Sequence, residues 1–316
     1  MKRIRVLSAF AVTAALALTG CGGGNGNPLA TGPATGATGA TSGSTGSAAG
    51  AAIVVGSANF PENELLAQIY AKALAAKGAS VSTKLNIGSR ETYIPALQDG
   101  SIDLLPEYTG VLLQYFNKSA TAVTPDDVYA ALRGALPSGL IVLNRSQAED
   151  KDAVVVTRAT ADKYSLKSIA DLAPVAKDLV LGGPPEWKTR PTGVPGLAKV
   201  YGLTFKEFKP LDVAGPLSVQ ALKNGQVQAV NLFTTQSAIK ANDFVVLDDP
   251  KNLFAAQNVV PLIRESKATD VVRTTLNAIS AALTTDELAA LVKEVEVDKA
   301  DAAEVAETWL QSKDLV

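Results

Sequence analysis

Residues 96–109 read ALQDGSIDLLPEYT, and residues 221–234 read ALKNGQVQAVNLFT. Each stretch begins as the end of a helix, passes a glycine at which a helix can stop, and continues as a short apolar run. Each then ends in an aromatic residue followed by threonine. Short apolar runs of this kind are typical of strands in a covered sheet. We therefore predict two equivalent helix–glycine–strand units in this α/β chain.

The aromatic residues of the two units are Tyr108 and Phe233, which we expect just past the C-terminal ends of their strands. Ligands bind at this edge in open α/β sheets. The repeat thus predicts two similar lobes that present the two rings, together with Thr109 and Thr234, to a shared cleft. Because such units are common in α/β proteins, the repeat alone leaves open the alternative that both rings are core packing.

The first 52 residues are expected to lie outside the fold. A basic start at residues 2–5 and an apolar run at residues 6–18 indicate a targeting signal that is too short to span a membrane. The sequence LTGC at residues 18–21 resembles the lipobox of bacterial lipoproteins, which implies that Cys21 is lipid-modified and anchors the protein to the membrane. Residues 22–52 are almost entirely Gly, Ala, Ser and Thr, so they predict a flexible tether or a linker of no consequence.

The remaining chain has the composition of a globular protein. Hydrophobic residues make up 47% of the sequence and charged residues 19%, with a net charge of -2. No basic patch with interleaved aromatic residues indicates nucleic-acid binding. There is no histidine, the one cysteine is expected to be acylated, and no glycine-rich phosphate loop is present. We therefore expect no catalytic residue, no metal and no cofactor, and we do not expect an enzyme.

Strand and helix patterns alternate along the body of the chain, which predicts mainly parallel sheets covered by helices. We place lobe 1 at residues 53–152 together with residues 258–316, and lobe 2 at residues 153–257. The strands near Ala153 and Val259 are expected to join the two lobes.

Four motifs carry a family resemblance: VGSANFPEN at residues 55–63, GSRET at 88–92, DLLPEYTG at 103–110 and TRPTGVP at 189–195. They resemble the osmoprotectant (glycine betaine/choline/carnitine) substrate-binding proteins of ABC transporters. The resemblance implies a two-lobed clamshell of the periplasmic-binding-protein type (type II) with a ligand cleft between its lobes. It also implies an extracytoplasmic monomer that captures a small solute and delivers it to a permease driven by an ATPase.

The resemblance also assigns candidate binding residues. Tyr108 matches one position of a tyrosine cage that holds a trimethylammonium group through the faces of its rings. Phe233 matches a second position without the hydroxyl. Arg190 matches an arginine that holds a ligand carboxylate, for which its planar fork is suited, although a structural pair with Glu186 is an alternative.

Other cleft candidates are polar. Asn63 stands where some family members have a ligand-binding glutamine, and Thr109, Thr234 and Gln257 are expected to exchange hydrogen bonds with the ligand. Arg90 is either a cleft residue or half of a surface pair with Glu91. Two further cage positions fall near Asp152 and Gln257, and neither residue is aromatic. This partial cage leaves open a larger or more polar ligand, including a small aromatic compound, and a sensing lipoprotein without transport.

Overall fold

The computed structural model describes residues 52–316. The predictions for the signal, for Cys21 and for nearly all of the tether therefore lie outside the described residues. The strands are Ala52–Gly56 (β1), Ser80–Lys84 (β2), Leu104–Tyr108 (β3), Leu140–Val142 (β4), Asp152–Thr157 (β5), Val180–Gly183 (β6), Glu207–Pro210 (β7), Ala229–Phe233 (β8), Phe244–Val246 (β9) and Val259–Arg264 (β10).

Helices precede or follow most of these strands. They are Pro61–Ala76 (α1), Arg90–Asp99 (α2), Thr109–Phe116 (α3), Pro125–Ala135 (α4), Arg158–Tyr164 (α5), Val194–Tyr201 (α6), Pro216–Lys223 (α7), Ser237–Ala241 (α8), Asp270–Ala282 (α9), Thr285–Glu296 (α10) and Ala302–Ser312 (α11). Within residues 52–316, no helix combines the length and the apolar composition that a membrane span requires.

The strands form two five-stranded sheets with the same layout. Lobe 1 contains the sheet β2-β1-β3-β10-β4, and lobe 2 contains the sheet β7-β6-β8-β5-β9. In lobe 1, β10 runs antiparallel to both of its neighbours, and in lobe 2, β5 does the same. Each sheet is therefore mixed but mainly parallel in direction, as expected, with one reversed strand among five. That strand is reversed because in each lobe it arrives from the other lobe and enters from the opposite end.

The two predicted repeat units occupy matching places in these sheets. Helix α2 ends at Gly100, whose φ of 86° lies in the left-handed region, and the chain then enters β3. Helix α7 leads through Gly225, with a φ of 69°, into β8. Tyr108 and Phe233 are the last residues of their strands, where they pair in register with Val259 and Asp152. Thus each aromatic residue lies beside the first residue of the strand that follows a connection from the other lobe.

Helices cover both faces of each sheet. In lobe 1, α1 and the C-terminal helices pack on one face around residues such as Leu66 and Leu310, and α2, α3 and α4 pack on the other. In lobe 2, one face packs α5 and α6, and the other packs α7. Both sheets are therefore buried in their centres.

Some elements differ from the sequence-based expectations. The two phenylalanines at positions 205 and 208 predict a strand over residues 205–208, whereas strand β7 covers Glu207–Pro210. It is an edge strand with half of its residues exposed, so hydrophobic pattern is a weak guide to its bounds. The short helices α5 and α8 were not predicted at all.

Candidate ligand-binding site

Two chain segments connect the lobes side by side. One runs from β4 to β5, and the other runs from β9 to β10. They touch where Asp150 N donates to Gln257 O at 3.1 Å, next to an isolated antiparallel bridge between Glu149 and Asn258. These contacts mark the place at which the chain passes from one lobe to the other.

The threonines that follow the two aromatic residues fasten these connecting segments. Thr109 N donates to Asn258 O at 3.0 Å, and Thr109 Oγ1 accepts from Asn258 N at 3.1 Å. In the matching place of lobe 2, Thr234 N donates to Lys151 O and Thr234 Oγ1 accepts from Lys151 N, both at 2.9 Å. The expectation that these hydroxyls face a ligand is corrected, since both are used on backbone groups and neither residue lines the cleft.

The two aromatic rings lie on one cleft and not in separate cores. Tyr108 and Phe233 both line a cavity between the lobes that encloses about 540 Å³ of empty space, including its open mouth. Phe60, at the start of α1, lies near both, with ring centroids 6.1 Å from Tyr108 and 5.1 Å from Phe233. The cleft therefore presents three neighbouring rings, of which Phe60 was not predicted.

Trp187 contributes a further ring to the lining of the cavity, as does Tyr93. Trp187 is only 1% exposed and stacks on Phe254 with a centroid distance of 6.1 Å. Gly193 in the TRPTGVP motif shapes this turn, because a Cβ at position 193 would fall on the carbonyl oxygen of Trp187. The motif thus holds the tryptophan and Arg190 in a tight turn beside the cleft.

Arg90 lines the cleft, but its charge is already paired. Its Nε and Nη2 donate to the two carboxylate oxygens of Glu107 at 2.7 and 2.9 Å. Glu107 is fully buried, and it also accepts from Tyr93 Oη and Tyr108 N. Burial alone would lower the pKa of Arg90, but the charge of Glu107, with smaller contributions from Tyr93 and Asp152, raises it above its usual range.

Arg190 also lines the cleft and forms an ion pair between the lobes. Its Nε and Nη2 donate to the carboxylate of Glu91 at 3.2 and 2.9 Å, so its partner is not Glu186. Partial burial would raise the pKa of Glu91, but hydrogen bonds from Arg190 and Ser89 and the charge of Arg190 lower it to about 2. This pair joins the start of α2 in lobe 1 to the TRPTGVP turn of lobe 2.

A buried acidic pair lies beneath the rings. Glu62 accepts from Tyr108 Oη at 2.7 Å and from Thr235 Oγ1, in lobe 2, at 2.6 Å. Asp150 accepts from Thr235 N at 3.1 Å. Burial raises the pKa of Glu62 to about 7 despite these hydrogen bonds, and burial together with the nearby charge of Glu62 raises the pKa of Asp150 well above its usual range.

Asn63 does not reach the cleft, which corrects its predicted role. Its Oδ1 accepts from Ala58 N at 2.7 Å and its Nδ2 donates to Pro106 O at 2.9 Å, so both ends of the amide hold lobe 1 together. Gln257, by contrast, lines the cavity, and its Nε2 lies 3.5 Å from Asp152 Oδ2. Of the eight predicted residues, the structure brings together Tyr108, Phe233, Arg90, Arg190 and Gln257.

Sequence reasoning missed several groups on the cleft wall. Phe60, Asp150 and Asn231 line the cavity, as do Asp152 and Glu186, which the sequence had suggested only as a non-aromatic cage position and as a possible partner of Arg190. Phe60 follows β1 by four residues, so the rule that ligands bind past the ends of strands could have identified it. No comparable signal distinguished Asn231, which lies inside β8 and reads as an ordinary strand residue.

Two similar α/β lobes, two connecting segments and a ring-lined cleft between the lobes define a solute-binding protein of the clamshell class. Residues 51–312 match the family described as the substrate-binding domain of an ABC-type glycine betaine transport system. The chain therefore belongs to this family, whose members bind substrates for transport.

Relatives and solved structures agree with this placement. The chain is 27% identical to a glycine-betaine-binding protein of Pseudomonas aeruginosa over 67% of this chain and 71% of the relative. It is 25% identical to a glycine betaine-binding protein of Escherichia coli over 83% and 90% of the two chains. A crystal structure of a glycine betaine/carnitine/choline ABC transporter protein shares the fold with a TM-score of 0.66 at 23% identity, covering 83% of this chain and 99% of the other.

Proposed function

We propose that this protein captures a small polar solute of the osmoprotectant type, with a cationic nitrogen, outside the cytoplasm and delivers it to an ABC permease powered by an ATPase. The observation that carries the proposal is the group of three rings at the cleft, with Phe60 and Tyr108 from lobe 1 and Phe233 from lobe 2. Ring faces attract organic cations through their quadrupoles, most strongly where water is excluded.

Closure of the lobes on the solute is the second part of the proposal. Arg190 with Glu91, and Thr235 with Glu62, are contacts made between the lobes. A solute that touches both walls adds to such contacts and shifts the population toward the closed form. We place the lobe boundaries near residues 152 and 258, where the connecting segments meet.

The remaining parts of the proposal concern the setting of the protein. Lipid modification at Cys21 would hold it at the membrane, and the Gly/Ala/Ser/Thr segment would let the lobes reach a permease. We propose a monomer without catalytic activity. Within residues 52–316, no group of three or more acidic, histidine or cysteine side chains is placed to hold a metal ion.

Tryptophan fluorescence tests the capture step, because Trp187 lies in the cleft wall. Titration of the purified protein with choline, ethanolamine, agmatine, glycine betaine and carnitine should give a saturable change with at least one of them. The same solute should raise the unfolding temperature, as expected for a ligand that binds only the folded state. A protein that responds to none of these solutes would contradict the proposal.

A further inference from the structure

The cleft wall of lobe 2 carries hydrogen-bond acceptors that the protein does not use. Asn231 Oδ1 is buried and receives no hydrogen bond from any residue of the described chain. The orientation of this amide is fixed, because its Nδ2 donates to Asp152 Oδ1 at 2.9 Å. Glu186 Oε2 is also buried and has no donor within residues 52–316.

The residues that carry these acceptors line one cavity, beside the end of strand β6. Asn231 and Trp187 both approach Gly183, the last residue of β6, since a Cβ built there would lie 3.4 Å from Asn231 Cβ and 3.5 Å from Trp187 Cε3. Glu186 directly precedes Trp187, and Asp152 is bonded to Asn231. All four residues line the same cavity. The wall therefore combines two carboxylates and one amide oxygen beside an aromatic ring.

The positive groups of the cleft, in contrast, are each paired with a carboxylate. Arg90 donates from Nε and Nη2 to Glu107, and Arg190 donates from the same two atoms to Glu91, so each charge is balanced although Nη1 is left over. A ligand carboxylate would therefore meet no unbalanced positive charge from these two residues, and it would also face Asp152 and Glu186. The cleft is thus arranged for a cation and against an anionic end group.

The kind of cation follows from the unused acceptors. A fully methylated nitrogen has no N–H to donate. When the cleft closed around such a ligand, Asn231 Oδ1 and Glu186 Oε2 would still accept no hydrogen bond. A buried acceptor left in this way has lost its hydrogen bonds to water without a replacement, which weakens binding. A nitrogen that retains its hydrogens can donate to these atoms while its apolar part contacts Phe60 and Phe233.

Resting on the transport function proposed above, we propose that the solute is an organic cation whose charged nitrogen carries N–H donors and which has no carboxylate. Primary or secondary ammonium and guanidinium compounds have this chemistry. Asn231, Asp152 and Glu186 would accept its N–H groups, and the rings of the cleft would contact its carbon chain.

A ligand series with a graded number of N–H groups tests this inference by calorimetry on the purified protein. Ethanolamine, its N-methyl and N,N-dimethyl derivatives and choline share one skeleton, and agmatine and glycine betaine extend the range. We expect at least one N–H cation to bind tenfold or more tightly than choline and glycine betaine. If either of these two binds within tenfold of every N–H cation, or more tightly, the inference is overturned while the proposed function stands. If nothing binds, both are overturned.

A pair of matched variants tests the assigned residues. Glu186→Gln should weaken the tightest N–H cation at least tenfold and weaken choline by a smaller factor, because choline donates no N–H group. Glu207→Gln makes the same change at an exposed position on β7 and should leave both affinities unchanged. Equal losses for the two ligands in Glu186→Gln would overturn the assignment, since they would indicate only a change in charge or structure.

Discussion

Phe60 lies between the rings of Tyr108 and Phe233, with one neighbour in each lobe. Its position at the N-cap of α1 fixes it, since Pro61 begins the helix and leaves Phe60 in an extended conformation at the cleft. This residue therefore belongs to the rigid framework of lobe 1, yet its ring contacts the wall that lobe 2 brings to the ligand.

Removal of that ring should weaken ligand binding without unfolding the protein. Phe60→Leu keeps an apolar side chain but loses the ring face, so we expect cation binding to weaken by about 1 kcal/mol, the usual size of such an interaction. Calorimetry measures the change. Phe205→Leu is the matched control, because Phe205 is partly buried against the core of lobe 2 and does not line the cleft. Equal affinity of Phe60→Leu and the unchanged protein would contradict a role for this ring.

Glu62 gives the fold a defined response to pH. Burial raises its pKa to about 7 from an ordinary value of 4.5, so the closed, folded state binds a proton that the unfolded state has released. Stability from this group is fully present below pH 4.5 and is lost as the pH rises through 7. The raised pKa of Asp150 acts in the same direction.

Glu62→Gln should reduce the dependence of folding stability on pH. We expect the unfolding temperature of the unchanged protein to fall between pH 5 and pH 8. The unfolding temperature of the variant should fall clearly less over the same range. Glu91 has a pKa of about 2 and contributes stability that is lost only below pH 4.5, so it does not oppose the trend in this window. Glu64→Gln, on the same helix but bonded to Asn86 at the surface, is the control and should keep the full dependence.

Some binding-site residues could be assigned from the sequence, and others could not. Tyr108 and Phe233 could be placed on a cleft because strand ends are readable from apolar runs. Thr109 and Thr234 could not be resolved, since a hydroxyl beside a cleft can face either a ligand or the backbone. The pairing of Arg190 with Glu91 joins residues 99 positions apart, and no local pattern encodes such a contact.

At the scale of elements, the TRPTGVP turn links Trp187 to helix α6. Gly193 is the cap of that helix, and its N–H donates to Arg190 O at 3.0 Å. A Cβ at this position would overlap the carbonyl group of Trp187, so the close approach of Trp187 requires glycine here. The turn and the start of helix α6 therefore depend on the absence of a side chain at position 193.

Gly193→Ala should destabilise the protein by about 1–3 kcal/mol, the usual cost of forcing an extra carbon into a packed site. Chemical denaturation measures this loss. Gly134→Ala is the matched control, because position 134 lies within α4 with open space around it, and alanine there should be neutral or slightly stabilising. Similar stabilities of the two variants would contradict the close-approach explanation.

Most elements were predictable because their apolar residues repeat with the period of a buried strand or a one-sided helix. The exceptions have physical reasons. Strand β7 lies at an edge, and α8 has no fully buried residue, so neither carries a strong hydrophobic pattern. The reversed direction of β5 and β10 could not be predicted from either strand, because direction depends on which lobe the chain has just left.

At the scale of the whole molecule, Arg190 and Glu91 form a contact that exists only when the lobes are near one another. Exposed ion pairs contribute about 0–1 kcal/mol, so this pair is a modest aid to closure. We expect Arg190→Gln and Glu91→Gln each to weaken solute binding by less than tenfold, and the double variant to be no weaker than the weaker single variant.

A double-mutant cycle, measured by calorimetry at low and high salt, tests this expectation. The coupling between the two variants should shrink at high salt, where exposed charges are screened. A much larger loss for Arg190→Gln than for Glu91→Gln would instead return Arg190 to its original assignment as the residue that holds a ligand carboxylate.

Thr109 and Thr234 each fix one end of a connecting segment with a reciprocal pair of hydrogen bonds, and the segments are bonded to each other through Asp150 and Gln257. Two connecting segments that are hydrogen-bonded at one end each and also to each other resist twisting more than they resist bending in a common plane. This geometry favours rotation of the two lobes about one axis. The facing residues of the cleft should therefore meet in the same positions each time the lobes close.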